Sequence, residues 1–131
     1  MTKNEMPNYV GRQFWNKFSK IGRNFKMFIE SKRRLDDKFE EIKGAIIDNS
    51  GEFSFDGKIS RDEINFSVKT SSILLGSDGT DGYLELIRYN GRRKEEYYEG
   101  EFRFSYTLSE GSLREVKGSF VLRPYFHPRM N

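Results

Sequence analysis

The sequence predicts an α+β protein: a long N-terminal amphipathic helical arm followed by a small antiparallel meander β-barrel of about six to eight strands. Three observations predict it. Before residue 48, apolar residues recur in alternating steps of three and four. After residue 51 they alternate every second residue. The turn cluster Asp48-Asn49-Ser50-Gly51 separates the two patterns. The expected organisation is a disordered N-terminus over 1–8, the arm over 9–47, the barrel over 51–126 and a tail over 127–131.

The arm is read from Phe14, Phe18, Ile21, Phe25, Phe28, Leu35, Phe39, Ile42 and Ile46, with Lys32 standing where the series calls for an apolar residue. Steps of three and four place side chains on one stripe of a helix. One continuous helix from about Pro7 to Ile47 is about 60 Å long at 1.5 Å per residue, more than a small β domain can cover. It then needs a partner helix, as in a coiled coil, with Lys32 as the polar seam residue that sets register or oligomer number. A break near Ser31–Arg34 gives the alternative: two helices that form a hairpin or lie on the β domain. Gly11 and Gly22 disfavour either helix by about 1 kcal/mol each relative to Ala.

Charge follows the same division. Residues 1–47 carry 11 Lys/Arg against 6 Asp/Glu, and residues 48–131 carry 12 against 14, giving the net +3. Between Arg12 and Arg34 there are eight basic residues and one acid, Glu30. Aromatics and lysines mixed over Tyr9 to Ile29 fit a membrane-interface helix, a calmodulin-type target helix or phosphate contacts to nucleic acid. The plain alternative is a solvated helix face. The favoured partner is a second copy or another protein held through the arm; nucleic acid or a membrane surface through residues 12–34 is the lesser expectation.

In the second half, Phe53, Phe55, Gly57 and Ile59 alternate, Ser60 to Glu63 turn, and Ile64, Phe66 and Val68 alternate again. Asn90-Gly91 reads as a hairpin turn. Tyr98, Gly100, Phe102, Phe104, Tyr106 and Leu108 share one face of a long strand, and Val116, Gly118, Phe120 and Leu122 one face of the last. Phe55-Gly57-Ile59, Tyr98-Gly100-Phe102 and Val116-Gly118-Phe120 each put glycine on the apolar face. Glycine there weakens a strand unless the strand bends or another backbone approaches, which points to a closed barrel.

Chemistry is sparse. Cysteine is absent, which excludes disulfides and thiol catalysis. The one histidine, His127, lies beside Pro128 and has no nucleophile partner of the common kinds. Asp78 and Asp81 lie in a glycine-rich loop without the closing Glu of a calcium loop. The expectation is a non-catalytic protein with no metal and no cofactor. A ligand site at the barrel mouth is expected from Thr70, Ser71, Arg88, Tyr89, Tyr98, Arg103, Tyr106 and Arg123, since guanidinium with tyrosine and hydroxyls suits a planar or anionic ligand. The alternative places those tyrosines in the core and those arginines outside.

Ile64 to Thr70 with Ser71-Ser72, Tyr83-Leu84-Glu85-Leu86, Tyr98-Glu99-Gly100 and Lys117-Gly118-Ser119-Phe120 together resemble the small β-barrel sensor domain of bacterial CBASS anti-phage effectors. The resemblance covers about half of the chain and implies an eight-stranded barrel that binds a cyclic dinucleotide. In that family two transmembrane helices precede the barrel, whereas this arm is too charged to cross a membrane. With no apolar run of the roughly 18 residues that a span needs, a cytoplasmic protein is expected, with a nucleotide-type anion as the sharpest ligand. An inhibitor or assembly factor with a solid barrel, or a nucleic-acid adaptor working through the basic arm, are the competing readings.

Overall fold

A computed structural model describes residues 6–14, 23–49, 51–69, 73–75, 81–83, 86–108 and 111–125. Ten strands are present among them: β1 (Tyr9–Phe14), β2 (Arg23–Arg34), β3 (Glu40–Asp48), β4 (Gly51–Ile59), β5 (Glu63–Lys69), β6 (Ile73–Leu75), β7 (Asp81–Tyr83), β8 (Leu86–Lys94), β9 (Tyr97–Leu108) and β10 (Leu113–Pro124). Eight of them, in the order β1-β2-β3-β4-β5-β8-β9-β10, form an antiparallel ring. Pairing of β10 with both β9 and β1 closes it, and the short β6–β7 hairpin joins the ring at β9. Closure leaves no free edge in the ring.

The antiparallel barrel is as expected, but the helical arm is not there. Among the described residues there is no helix, and the expected arm is built of β1, β2 and β3. Phe14 ends β1, Phe25, Phe28 and Lys32 lie in β2, Ile42 and Ile46 lie in β3, and Leu35 and Phe39 flank the turn between β2 and β3. Phe18 and Ile21 lie outside the described residues. The coiled-coil stripe therefore does not form, and the exposed Lys32 is no seam residue.

Period two governs each of these strands. Phe25 and Met27 point inward with Ile29 packed beside them, and so do Ile42 and Ile46 on either side of Gly44. The four-residue steps stay on one strand face, whereas the three-residue step from Phe25 to Phe28 crosses to the other. Phe28 and its cross-strand partner Ala45 are also buried, on the outer face. That second buried layer is what imitates a helical stripe. A register shift between Ile29 and Ser31 adds one residue to β2. The Asp36 carboxylate accepts the Lys38 and Phe39 amides at 2.8 and 2.7 Å and holds the turn into β3.

Asn90-Gly91, expected as a turn, lies inside β8. The β8–β9 hairpin instead turns at Glu95-Glu96, with Glu95 at φ 59°. Gly91 faces Gly100 across β8 and β9, and a side chain at Gly91 would meet the Phe120 ring at 2.8 Å. At Gly57 and Gly100 the requirement is backbone approach: a Cβ would run into the Asn65 and Asn90 carbonyl oxygens, respectively. These inward glycines let adjacent strands cross closely as the sheet coils shut.

The interior is filled. Phe102, Phe120, Met27, Ile42, Ile64 and Leu122 are the largest fully buried side chains. Phe66 stacks on Tyr89 with ring centroids 4.5 Å apart, and Phe120 sets its edge against Tyr89 at 5.2 Å. An eight-stranded barrel is just wide enough for side chains to fill, and in this one aromatic rings occupy the middle. No helix among the described residues is long and apolar enough to cross a membrane.

Candidate functional site

The residues expected at a barrel mouth do not converge. Tyr89 and Tyr98 are buried inside, while Arg88, Arg103 and Arg123 are exposed outside. Strand geometry requires this: Arg88 and Tyr89 are adjacent, and Tyr98 and Arg103 are separated by an odd number, so each pair faces opposite ways. Tyr106 lies in β9 opposite Arg114. Thr70 and Ser71 lie outside the described residues.

Both inner tyrosines have structural partners. The Tyr89 hydroxyl donates to Gln13 Oε1 at 2.6 Å, and Gln13 is itself buried. Burial pushes the Tyr89 hydroxyl pKa far above its ordinary value; Asp48 raises it further and Arg23 opposes. The Tyr98 hydroxyl donates to the Ser60 carbonyl at 3.0 Å, and its pKa is raised by burial against the opposing pull of Arg93. Tyr9, edge-on to Tyr98 at 6.2 Å, is raised first by burial and then by Tyr98.

The chemically distinctive surface is the outer wall. Strands β8, β9, β10, β1 and β2 are contiguous in the ring and carry, at outward register positions, nine Lys/Arg against four Asp/Glu. The remaining contiguous strands, β3, β4 and β5, carry three against four at outward positions. The chain's modest +3 therefore hides a barrel with one basic side and one nearly neutral side.

Two features stand out on the basic side. Register aligns Val121 with Arg12 and Asn24, and Arg123 with Val10, Lys26 and Ile47, across β10, β1, β2 and β3. These residues line a groove of about 560 Å³ with an apolar floor of Val10, Ile47 and Val121. Arg12, Lys26 and Arg123 stand exposed around it, and none forms an ion pair among the described residues. Nearer the opposite end of the barrel, Arg88, Arg103 and Lys117 lie directly opposite one another on β8, β9 and β10. Like charges so placed repel.

Two aromatic rings also face outward here. The Arg12 guanidinium lies over Phe14 at 5.8 Å, and that of Arg123 over Tyr97 at 5.2 Å. Ion pairs do occur elsewhere on the wall, such as Lys94–Glu99 at 3.1 Å and Lys69–Asp56 at 3.9 Å, but exposed pairs of this kind contribute little.

Sequence reasoning missed Gln13 altogether. It counted Arg12 and Lys26 as a helix face and left Lys117 out of any site. The available signal was parity: once β1, β2 and β10 are read as strands, Arg12, Lys26, Lys117 and Arg123 all fall on the outer face. Among the described residues no group of three or more His, Asp or Glu is placed to hold a metal ion. No protein-family model, no curated protein and no solved structure matches the chain.

Proposed function

We propose that this chain is a non-catalytic binding module that takes an anionic ligand on the basic side of its outer wall, seated first in the groove at Arg12, Lys26 and Arg123. The observation that carries this reading is the segregation of charge around the ring, nine outward Lys/Arg against four outward acids on one side and three against four on the other. Clustered like charge raises the local concentration of a counter-charged ligand. The groove adds apolar contact to the charge, which suits an anion with a planar or apolar part.

The filled interior argues against a ligand in the middle of the barrel, because the Phe66, Tyr89 and Phe120 rings already occupy it. The resemblance of the strands to a cyclic-nucleotide sensor barrel agrees with a nucleotide-type anion. On this reading the site lies on the wall rather than within it.

Calorimetric titration with pyrophosphate and with a nucleoside triphosphate tests the proposal. Binding should weaken as salt rises and should disappear in the double variant Lys26→Glu, Arg123→Glu, whose unfolding midpoint should be unchanged because both side chains are exposed. Binding that survives the charge reversal, or no binding at low salt, overturns it.

A further inference from the structure

We infer that the anion held by the basic wall is the backbone of a single-stranded nucleic acid, with Phe14 and Tyr97 as stacking platforms for its bases. This inference rests on the anion-binding reading above and deepens it. The observation behind it is the order of side chains along the seam of β10 with β1 and β9. Lys117 comes first, then Phe14 opposite Ser119, then Arg12 opposite Val121, then Arg123 with its guanidinium over the Tyr97 ring. Cations and outward rings thus follow one another over the six steps from Lys117 to Arg123, a path of about 20 Å at 3.3 Å per residue, bordered on β9 by Glu101 opposite Ser119 and by Glu99 opposite Val121, the latter paired with Lys94 at 3.1 Å. That length spans about six nucleotides at the 3.4 Å rise of a stacked strand.

Single-strand binders combine a basic track with aromatic faces, because every base presents a π-face and every linkage a negative charge. Phe14 and Tyr97 are each half-buried on the outer face, which also carries Val10, Val121 and the buried Phe28. Neither ring joins the interior cluster around Tyr89. At one end of the path, Arg103 stands directly opposite Lys117 with Arg88 beyond it, and no described acid pairs with any of the three. Their mutual repulsion is relieved when a phosphate lies between them.

A paired duplex hides its base faces and cannot use the rings. A flat anionic bilayer does not enter the grooves flanking Arg12, one lined by Val10, Lys26 and Ile47 and the other by Phe14 and Ser119. An acidic peptide would satisfy the cations but would have no need of the rings.

The experiment measures fluorescence anisotropy of the full chain with a labelled oligothymidylate, a duplex of equal length, inorganic polyphosphate and vesicles containing phosphatidylserine. The single strand should bind more tightly than the duplex or polyphosphate. Its log affinity should fall with log salt at a slope of about −2 to −3, as expected for three to four neutralised phosphates. Phe14→Leu and Tyr97→Leu keep apolar bulk and remove the π-face. Each should weaken oligothymidylate binding by about five-fold or more, the lower end of what a stacked base contributes, and leave polyphosphate binding unchanged.

If polyphosphate binds as well as the single strand and the leucine variants change nothing, the nucleic-acid inference fails while anion binding stands. If only the duplex or only the vesicles bind, the inference likewise fails. If no probe binds, both readings fail.

Discussion

Replacing Tyr89 with phenylalanine removes one oxygen and leaves the ring where it is. In the native barrel that oxygen donates a 2.6 Å hydrogen bond to Gln13 Oε1, and Tyr89 and Gln13 are only 4% and 5% exposed. The stack on Phe66 at 4.5 Å and the edge contact with Phe120 at 5.2 Å survive in the variant. The cost is therefore the lost bond together with a Gln13 carbonyl left without this donor in the interior, about 1–3 kcal/mol. With a urea m-value of about 2 kcal/mol/M for a domain of this size, a loss of about 2 kcal/mol lowers the midpoint by about 1 M with m unchanged. The companion change Gln13→Leu supplies the control, since replacing both partners by apolar groups of similar shape is nearly neutral. The double variant should then be more stable than Tyr89→Phe alone. The reasoning is refuted if Tyr89→Phe costs less than about 0.5 kcal/mol, or if the two substitutions simply add in a double-mutant cycle.

Two further outcomes follow from the same interior. Gly100→Ala would drive a methyl group into the Asn90 carbonyl oxygen and to 2.6 Å from the Gly91 Cα. It should cost about 3 kcal/mol, the upper end of overpacking, whereas Ser119→Ala on the exposed face should stay within about 0.5 kcal/mol by thermal or urea unfolding; equal effects would mean the strands do not cross closely at Gly100. The second outcome concerns alkaline pH. Burial raises the Tyr9, Tyr89 and Tyr98 pKa values above the ordinary 10, so their contribution to stability is complete below about pH 10. Above that the unfolded chain releases protons that the folded chain keeps, and stability falls by up to about 1.4 kcal/mol per pH unit for each tyrosine. Midpoints measured from pH 8 to 12 should show this decline, shallower in Tyr89→Phe; an identical slope in both proteins would remove Tyr89 from the account.

Much of the second half is legible from alternation alone. The inward set Phe55, Ile59, Ile64, Phe66, Phe102, Phe104, Phe120 and Leu122 can be read from period two, and the glycines at 57, 100 and 118 point correctly to coiled strands. The first half misleads for a specific reason. Phe28 and Ala45 are buried on the outer face, so β2 and β3 bury residues on both sides, and steps of three mix with steps of two and four. Gly11 and Gly44 carried the corrective signal. Each faces inward beneath a neighbour, the Phe25 ring over Gly11 and the Phe28 carbonyl over Gly44, as in the later strands where the motif was recognised. Asn90-Gly91 misleads in the same way: a glycine needed for the Phe120 ring looks like a glycine needed for a turn.

The sequence by itself determined that the chain has a core, that its later half is antiparallel strands, and that its basic residues outnumber its acids before residue 48. Those properties depend on composition and near-neighbour spacing, which the chain carries locally. Only the tertiary structure decided that the first strand closes on the last, because the pairing of Tyr9–Phe14 with Ser119–Pro124 joins residues more than a hundred positions apart and leaves no local trace. Closure also decided the site. It sends Tyr89 inward and Arg88 outward, and it brings Arg12, Lys26, Lys117 and Arg123, scattered along the chain, onto one side of the wall. Charge that the sequence spreads over 131 residues thereby becomes a single basic face.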